Sequence, residues 1–213
     1  MSDEFLLDTL PTRRFIDRVK DALGRARPGE ALQGLRPAFA ELLRDPDWLP
    51  AAYREPAAEG GMGDGIASWL LYRAGDGGLS LFSLVVPVGA ATPVHDHLAW
   101  GLVGLYAGEQ DEEVFRRTGA HDAAGTASLE LATRNHLRPG DFYVLEPPEG
   151  DIHRVTTTSA VPSVSIHLLG NDTGCVWRHA YEPGDGTVRP FRSGWSNVPC
   201  RDADRGAAGR DAT

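Results

Sequence analysis

The chain has 213 residues, 41% of them hydrophobic, with 21 Lys and Arg against 30 Asp and Glu and a formal net charge of −9. That length and apolar content suit one sizeable core, so a single domain with appendages is expected rather than two. The acidic balance argues against nucleic acid or an anionic membrane surface as partner. No apolar run is long enough to span a bilayer, and the acidic N-terminus is unlike a secretory signal, so a cytoplasmic location is expected. Cys175 and Cys200 are too few and too late in the chain for a disulfide scaffold and are expected to be free thiols.

Residues 1–56 read as a helical lead-in. Leu10-Pro11-Thr12 opens a helix whose apolar positions Phe15, Ile16, Val19 and Leu23 follow the 3.6 period, with Gly24 as its end. A second helix runs from Ala31 to Leu43 on Leu32, Leu35, Phe39 and Leu42 and stops at Asp45-Pro46. One more turn is expected at Asp47-Trp48-Leu49-Pro50. Each helix has a single apolar stripe, so both should pack on the outside of something larger.

Residues 57–200 change character to short alternating segments punctuated by Gly, Pro and Asp. Strands are expected at 66–73, 79–88, 94–106, 113–117, 128–134, 141–145, 152–158, 163–169 and 175–181, with a final hairpin through Val188–Phe191. This count indicates an all-β barrel of the double-stranded β-helix (jelly-roll) type. The tail 201–213 lacks large apolar residues and reads as disordered.

The chemistry centres on His95-Asp96-His97. Two residues apart on a strand, both imidazoles would project from one face, half of a metal site that suits zinc, copper, iron or nickel. A chance His-x-His on a polar strand face is the plain alternative, and a third ligand decides. His153, in the strand that follows the Pro147-Pro148-Glu149-Gly150 turn, is the candidate. Gly89, the spacer to His95-x-His97, and then Gly140, Pro148-x-Gly150 and His153 resemble the two-motif pattern of the cupin superfamily. Where most cupins place a glutamate three or four residues past the His-x-His, this chain has Gly101 and Leu102. Three neutral imidazoles and no carboxylate would leave a divalent ion its full double charge, which favours an anionic ligand in the open positions.

The pattern is similar to that of one cupin family in particular, the thiol dioxygenases, which act on cysteine or 3-mercaptopropionate. The likeness runs from about Leu32 to Asn197, including the closing Ser193-Gly194-Trp195-Ser196-Asn197. It implies iron(II) held by His95, His97 and His153, and oxidation by O2 of a small thiol carboxylate to its sulfinate. It also implies a Ser-x-His-x-Tyr relay, of which Ser165 and His167 match the first two members while Leu169 replaces the tyrosine. Gly101 stands where some members carry a cysteine crosslinked to that tyrosine, so the crosslink and the hydroxyl are both missing; Tyr143 or Tyr106 could substitute. Arg178, and with a gap Arg73, fall where members of the family bind the substrate carboxylate, a task for the guanidinium fork. Trp100 could wall the pocket. His121 and His136 read as surface residues, and His179 should face away from Arg178. The other readings are a three-histidine cupin oxygenase or isomerase for a non-thiol acid, and a non-catalytic cupin that binds a metal or small molecule.

Overall fold

The structure, a computed structural model, describes residues 1–57, 61–119 and 125–201. The expected tail at 202–213 and His121 therefore lie outside the described residues. A two-residue strand β1 (Glu4–Phe5) precedes helices α1 (Leu10–Arg25) and α2 (Pro28–Arg44) and a single 3-10 turn (Ala51–Tyr53). Strands β2 (Ala67–Arg73), β3 (Ser80–Val86), β4 (Val94–His95), β5 (Gly101–Ala107), β6 (Gln110–Arg117) and β7 (Leu129–Leu137) follow. The chain continues with β8 (Phe142–Leu145), β9 (Ile152–Thr157), β10 (Ser163–Leu169), β11 (Arg178–Tyr181) and β12 (Val188–Phe191). They form two six-stranded antiparallel sheets, ordered β1-β2-β3-β10-β5-β8 and β12-β11-β4-β9-β6-β7. This is the expected mainly-β jelly-roll barrel, with helices packed outside the first sheet.

Alternation on the strands explains the two main cores. On β3, Leu81 and Val85 join Phe15, Leu32, Phe39 and Leu43 in the core under the helices, while Phe82, Leu84 and Val86 face the other sheet. The missing Cβ of Gly104 lets α2 settle on β5, since one built there would lie 2.5 Å from Leu43 and 2.9 Å from Phe39. On β10, Val164, Ile166 and Leu168 face the helices, so Ser163, Ser165 and His167 alternate into the barrel.

Four local expectations are corrected. Residues 1–56 are not all helical, because Glu4 and Phe5 pair with Arg73 and Tyr72 of β2. Helix α1 passes through Gly24 and ends at Ala26, whose extended backbone donates its N–H to the Ala22 carbonyl. The extra turn comes after Pro50 rather than at Asp47. The expected strand 94–106 is broken into β4 and β5 by a turn in which Leu98 takes φ +53°, a conformation uncommon outside glycine.

The cysteines are not free: Cys175 and Cys200 form a disulfide across a Cα separation of 5.5 Å. They meet because the closing segment runs back along β2, where Ser196 and Asn197 exchange hydrogen bonds with Ser68 and Leu70. Chain spacing alone does not reveal that return. Closing a loop of this length contributes about 3 kcal/mol in the chain-entropy picture. Such a bond persists in oxidising surroundings, which bears against the cytoplasmic expectation. Among the described residues no helix is long and apolar enough to cross a membrane.

Candidate metal centre

His95, His97 and His153 converge, with one nitrogen of each within 4.8 Å of the others. Register brings the first pair together: His95 on β4 stands directly opposite His153 on β9, and opposed residues of antiparallel strands project to the same side. His97 is not on the strand. Asp151 holds it there, one carboxylate oxygen accepting from the His97 N–H (2.9 Å) and the other from the Leu98 N–H (3.1 Å). Those two bonds secure the turn that Leu98 would otherwise resist.

The Nδ1 atoms are backed from behind. His95 Nδ1 lies 2.8 Å from the Pro93 carbonyl, and His153 Nδ1 lies 2.8 Å from Glu112 Oε1. His97 Nδ1 sits 3.3 Å from Asp151 Oδ1 without forming a hydrogen bond. This leaves Nε2 of His95 and His153 as the donor atoms, the arrangement that fixes a metal-binding tautomer. Burial, then neighbouring positive groups, hold His95 well below the ordinary imidazole value, and His97 is lowered to about 4 chiefly by burial. Both are neutral and ready to ligate. A divalent transition metal fits this set.

The second layer changes the charge argument made from sequence. Glu112 and Asp151 are both buried carboxylates. Burial works against their ionisation, but the bonds they accept outweigh it: Glu112 is lowered to about 2 by His153, Asn135 and Tyr143, and Asp151 is lowered by His97 and the Leu98 N–H. An ion here would meet two negative charges just beyond its ligands. The group that favours an anion is instead Arg178.

Arg178 is 4% exposed, with its guanidinium 4.4 Å over the Phe191 ring, which is itself 5.8 Å from His95. Its bonds go to neutral groups, NH1 to the Asp96 carbonyl (2.9 Å) and NH2 to Ser193 Oγ (3.0 Å), and its Nε is buried without a partner. Burial lowers it to about 10, so it stays charged at neutral pH. The Asp96 side chain fastens this edge by accepting from the His179 N–H, His179 Nδ1 and the Tyr181 hydroxyl. His179 faces outward, as expected.

Ser165 Oγ lies 2.9 Å from His167 Nε2, and the imidazole stacks on Phe82 with centroids 4.6 Å apart. His167 Nδ1 is buried without a partner, and its ring is 6.2 Å from that of His97. Leu169 packs in the inter-sheet core and is paired with Gly101 on β5. Of the two tyrosines considered as substitutes, Tyr106 donates to the carbonyls of Asp45 and Pro46 on the helical side. The Tyr143 hydroxyl lies 3.4 Å from His153 Nδ1 and helps hold Glu112 ionised.

Two expected pocket residues are not brought to the cluster. Arg73 is buried but engaged by Glu4 (2.8 Å), Asp172 (3.5 Å) and the Pro199 carbonyl, so it ties the N-terminal strand to the closing segment. Trp100 packs with the helix-side core, its indole filling the space a Cβ on Gly170 would take. His136 lies on β7, beside Asp111 at the surface. Sequence reading missed Glu112 and Asp151. Glu112 had a signal, since Asp111-Glu112-Glu113 on a strand must place the middle carboxylate opposite the other two.

No protein-family model matches the chain. Among solved structures it is similar to a double-stranded β-helix protein from Klebsiella pneumoniae, with 13% identity, 67% of this chain and 93% of that one covered, and a TM-score of 0.39. It is also similar to Lactobacillus farciminis oxalate decarboxylase in a formate complex, at 15% identity, 54% and 31% coverage and a TM-score of 0.38. A third is peruvianin-I, a cysteine peptidase from Thevetia peruviana latex, at 21% identity and a TM-score of 0.34. The chain spans 52% of peruvianin-I, and 45% of this chain is covered. Likenesses of this degree assign no activity. The sheets and the cluster form a jelly-roll barrel with a three-histidine centre able to hold a metal.

Proposed function

We propose that the protein is a metal-dependent oxygenase for a small anionic substrate, with iron(II) as the metal and a thiol carboxylate of the cysteine or 3-mercaptopropionate kind as the substrate. The observation that carries the anionic part is Arg178, a buried cation bonded only to neutral groups beside three histidines. Asp96 and Asp151 favour its charge from a distance without an ion pair, and a carboxylate received at Nε and an adjacent N–H would offset the remaining cost of burial. The thiol part rests on the motif resemblance. In the overall reaction both atoms of O2 go to sulfur, thiol becoming sulfinic acid, and no outside reductant is needed. Bound iron(II) would supply open coordination positions for thiolate and O2 together. The chain's own residues orient and exclude: Arg178 fixes the carboxylate, and Phe191 lies over the guanidinium. Ser165, donating to His167 Nε2, would leave the His167 proton on Nδ1 as a donor for the ligand. A second reading, a three-histidine oxygenase for a non-thiol acid, is favoured by Leu169, which leaves that Nδ1 without the tyrosine of the relay.

The test is metal analysis of the purified protein, anaerobic iron loading, and an oxygen electrode with 3-mercaptopropionate, cysteine, cysteamine and non-thiol acids. Oxygen uptake with a thiol carboxylate and weak uptake with cysteamine is the expected result. Turnover of only non-thiol acids selects the second reading, and tight binding without turnover selects a binding protein. His153→Ala is expected to abolish metal retention; metal kept by that variant overturns the ligand set.

A further inference from the structure

Three consecutive carboxylates on β6 are sorted by the strand. Asp111 meets His136 at the surface, Glu113 meets Arg134 and Arg154, and Glu112 alone turns inward, at 2% exposure. Inside, its Oε1 lies 2.8 Å from His153 Nδ1 and its Oε2 accepts from Asn135 Nδ2 at 2.9 Å. The three histidines are therefore not equivalent. His95 leans on a neutral carbonyl, and His97 faces a carboxylate already bonded to two backbone N–H groups. Only His153 among them has a carboxylate at full hydrogen-bond distance and geometry.

We propose that Glu112 is a positioning and tuning residue that makes His153 the strongest donor of the three, so the centre is electronically lopsided and holds its metal through that side. A charge-assisted bond on Nδ1 fixes the ring and pushes electron density toward Nε2. The carboxylate that cupins usually place in contact with the metal is thus supplied one layer out, from the next strand. This inference rests on the reading that His95, His97 and His153 hold a metal.

The test measures zinc(II) and iron(II) dissociation constants by chelator competition, first on the unaltered protein, then on Glu112→Gln, Glu112→Asp and Glu113→Gln. Glutamine keeps an acceptor oxygen and loses the charge, so a purely structural role predicts little change. The inference predicts roughly 10- to 100-fold weaker binding in Glu112→Gln, a smaller loss in Glu112→Asp, and no change in Glu113→Gln. It also predicts a higher ferric/ferrous midpoint in Glu112→Gln, because a negative charge that favours the ferric ion is gone. If Glu112→Gln fails to fold, Glu112→Asp carries the comparison. Affinity within twofold of the unaltered protein in the folded variants, or equal weakening in Glu113→Gln, overturns the inference. Absence of metal binding by the unaltered protein overturns the three-histidine reading itself and is seen before any variant is made.

Discussion

On the helix-covered face of β10, Val164, Ile166 and Leu168 are buried among Phe39, Leu43, Leu81 and Leu102; on its barrel face Ser163, Ser165 and His167 are just as buried and polar. The first face follows the ordinary rule that large apolar side chains go inside. The second carries His167 Nδ1 without a partner, and nearby Arg178 Nε is in the same condition. Each such group costs on the order of 1–3 kcal/mol. Under the proposed function these two are where a ligand would meet the fold, and on that reading one strand separates what holds the molecule together from what it would do.

Three changes test that separation. The largest effect on stability is expected from Ile166→Ala, which removes a side chain of 0% exposure from the helix-side core. It should lower unfolding free energy by about 2–5 kcal/mol in denaturant titrations while leaving metal affinity unchanged. Loss of metal in the folded variant would show that the two faces are coupled.

Arg178→Met should act in the opposite sense. It removes a buried charge, so the ligand-free protein should melt higher, while KM for a carboxylate substrate rises about 30-fold or more with a smaller change in kcat. Unchanged KM would take Arg178 out of the substrate site.

The most gradual effect, small for any one group over any one pH unit, is the acid response of the metal-free protein. His95, His97 and His167 are held below their ordinary value of 6.5 by burial, His97 at about 4. Below 6.5 the unfolded chain takes up protons that the folded one refuses, so stability falls as pH drops, by up to about 1.4 kcal/mol per unit for each group. Glu112, lowered from 4.5 to about 2, stabilises above 4.5 and loses that contribution as pH falls toward 2, in the same direction. Denaturant midpoints that stay flat between pH 6.5 and 4 would mean these imidazoles are not held neutral.

The barrel was legible in the sequence because alternation and turn residues are local signals, and the three histidines because their spacing is short and their motif dense. What escaped depends on distant segments. Strand β1 pairs with residues nearly seventy positions away, and Cys200 reaches Cys175 only because Ser196 and Asn197 attach the closing segment to β2. Trp100 packs with the helix-side core, whereas Ala99 packs in the inter-sheet core. Asp151 secures the bend at Leu98 from 53 residues further along the chain, a contact that no local pattern shows.

Gly101 faces Leu169 across β5 and β10, and a Cβ on it would lie 2.2 Å from the Leu168 carbonyl oxygen. That oxygen belongs to the backbone, so swapping Leu169 for tyrosine would not clear the space for a cysteine opposite. A crosslinked cysteine and tyrosine at positions 101 and 169 would require the two strands to move apart, so the main chain as well as the side chains excludes that pair here.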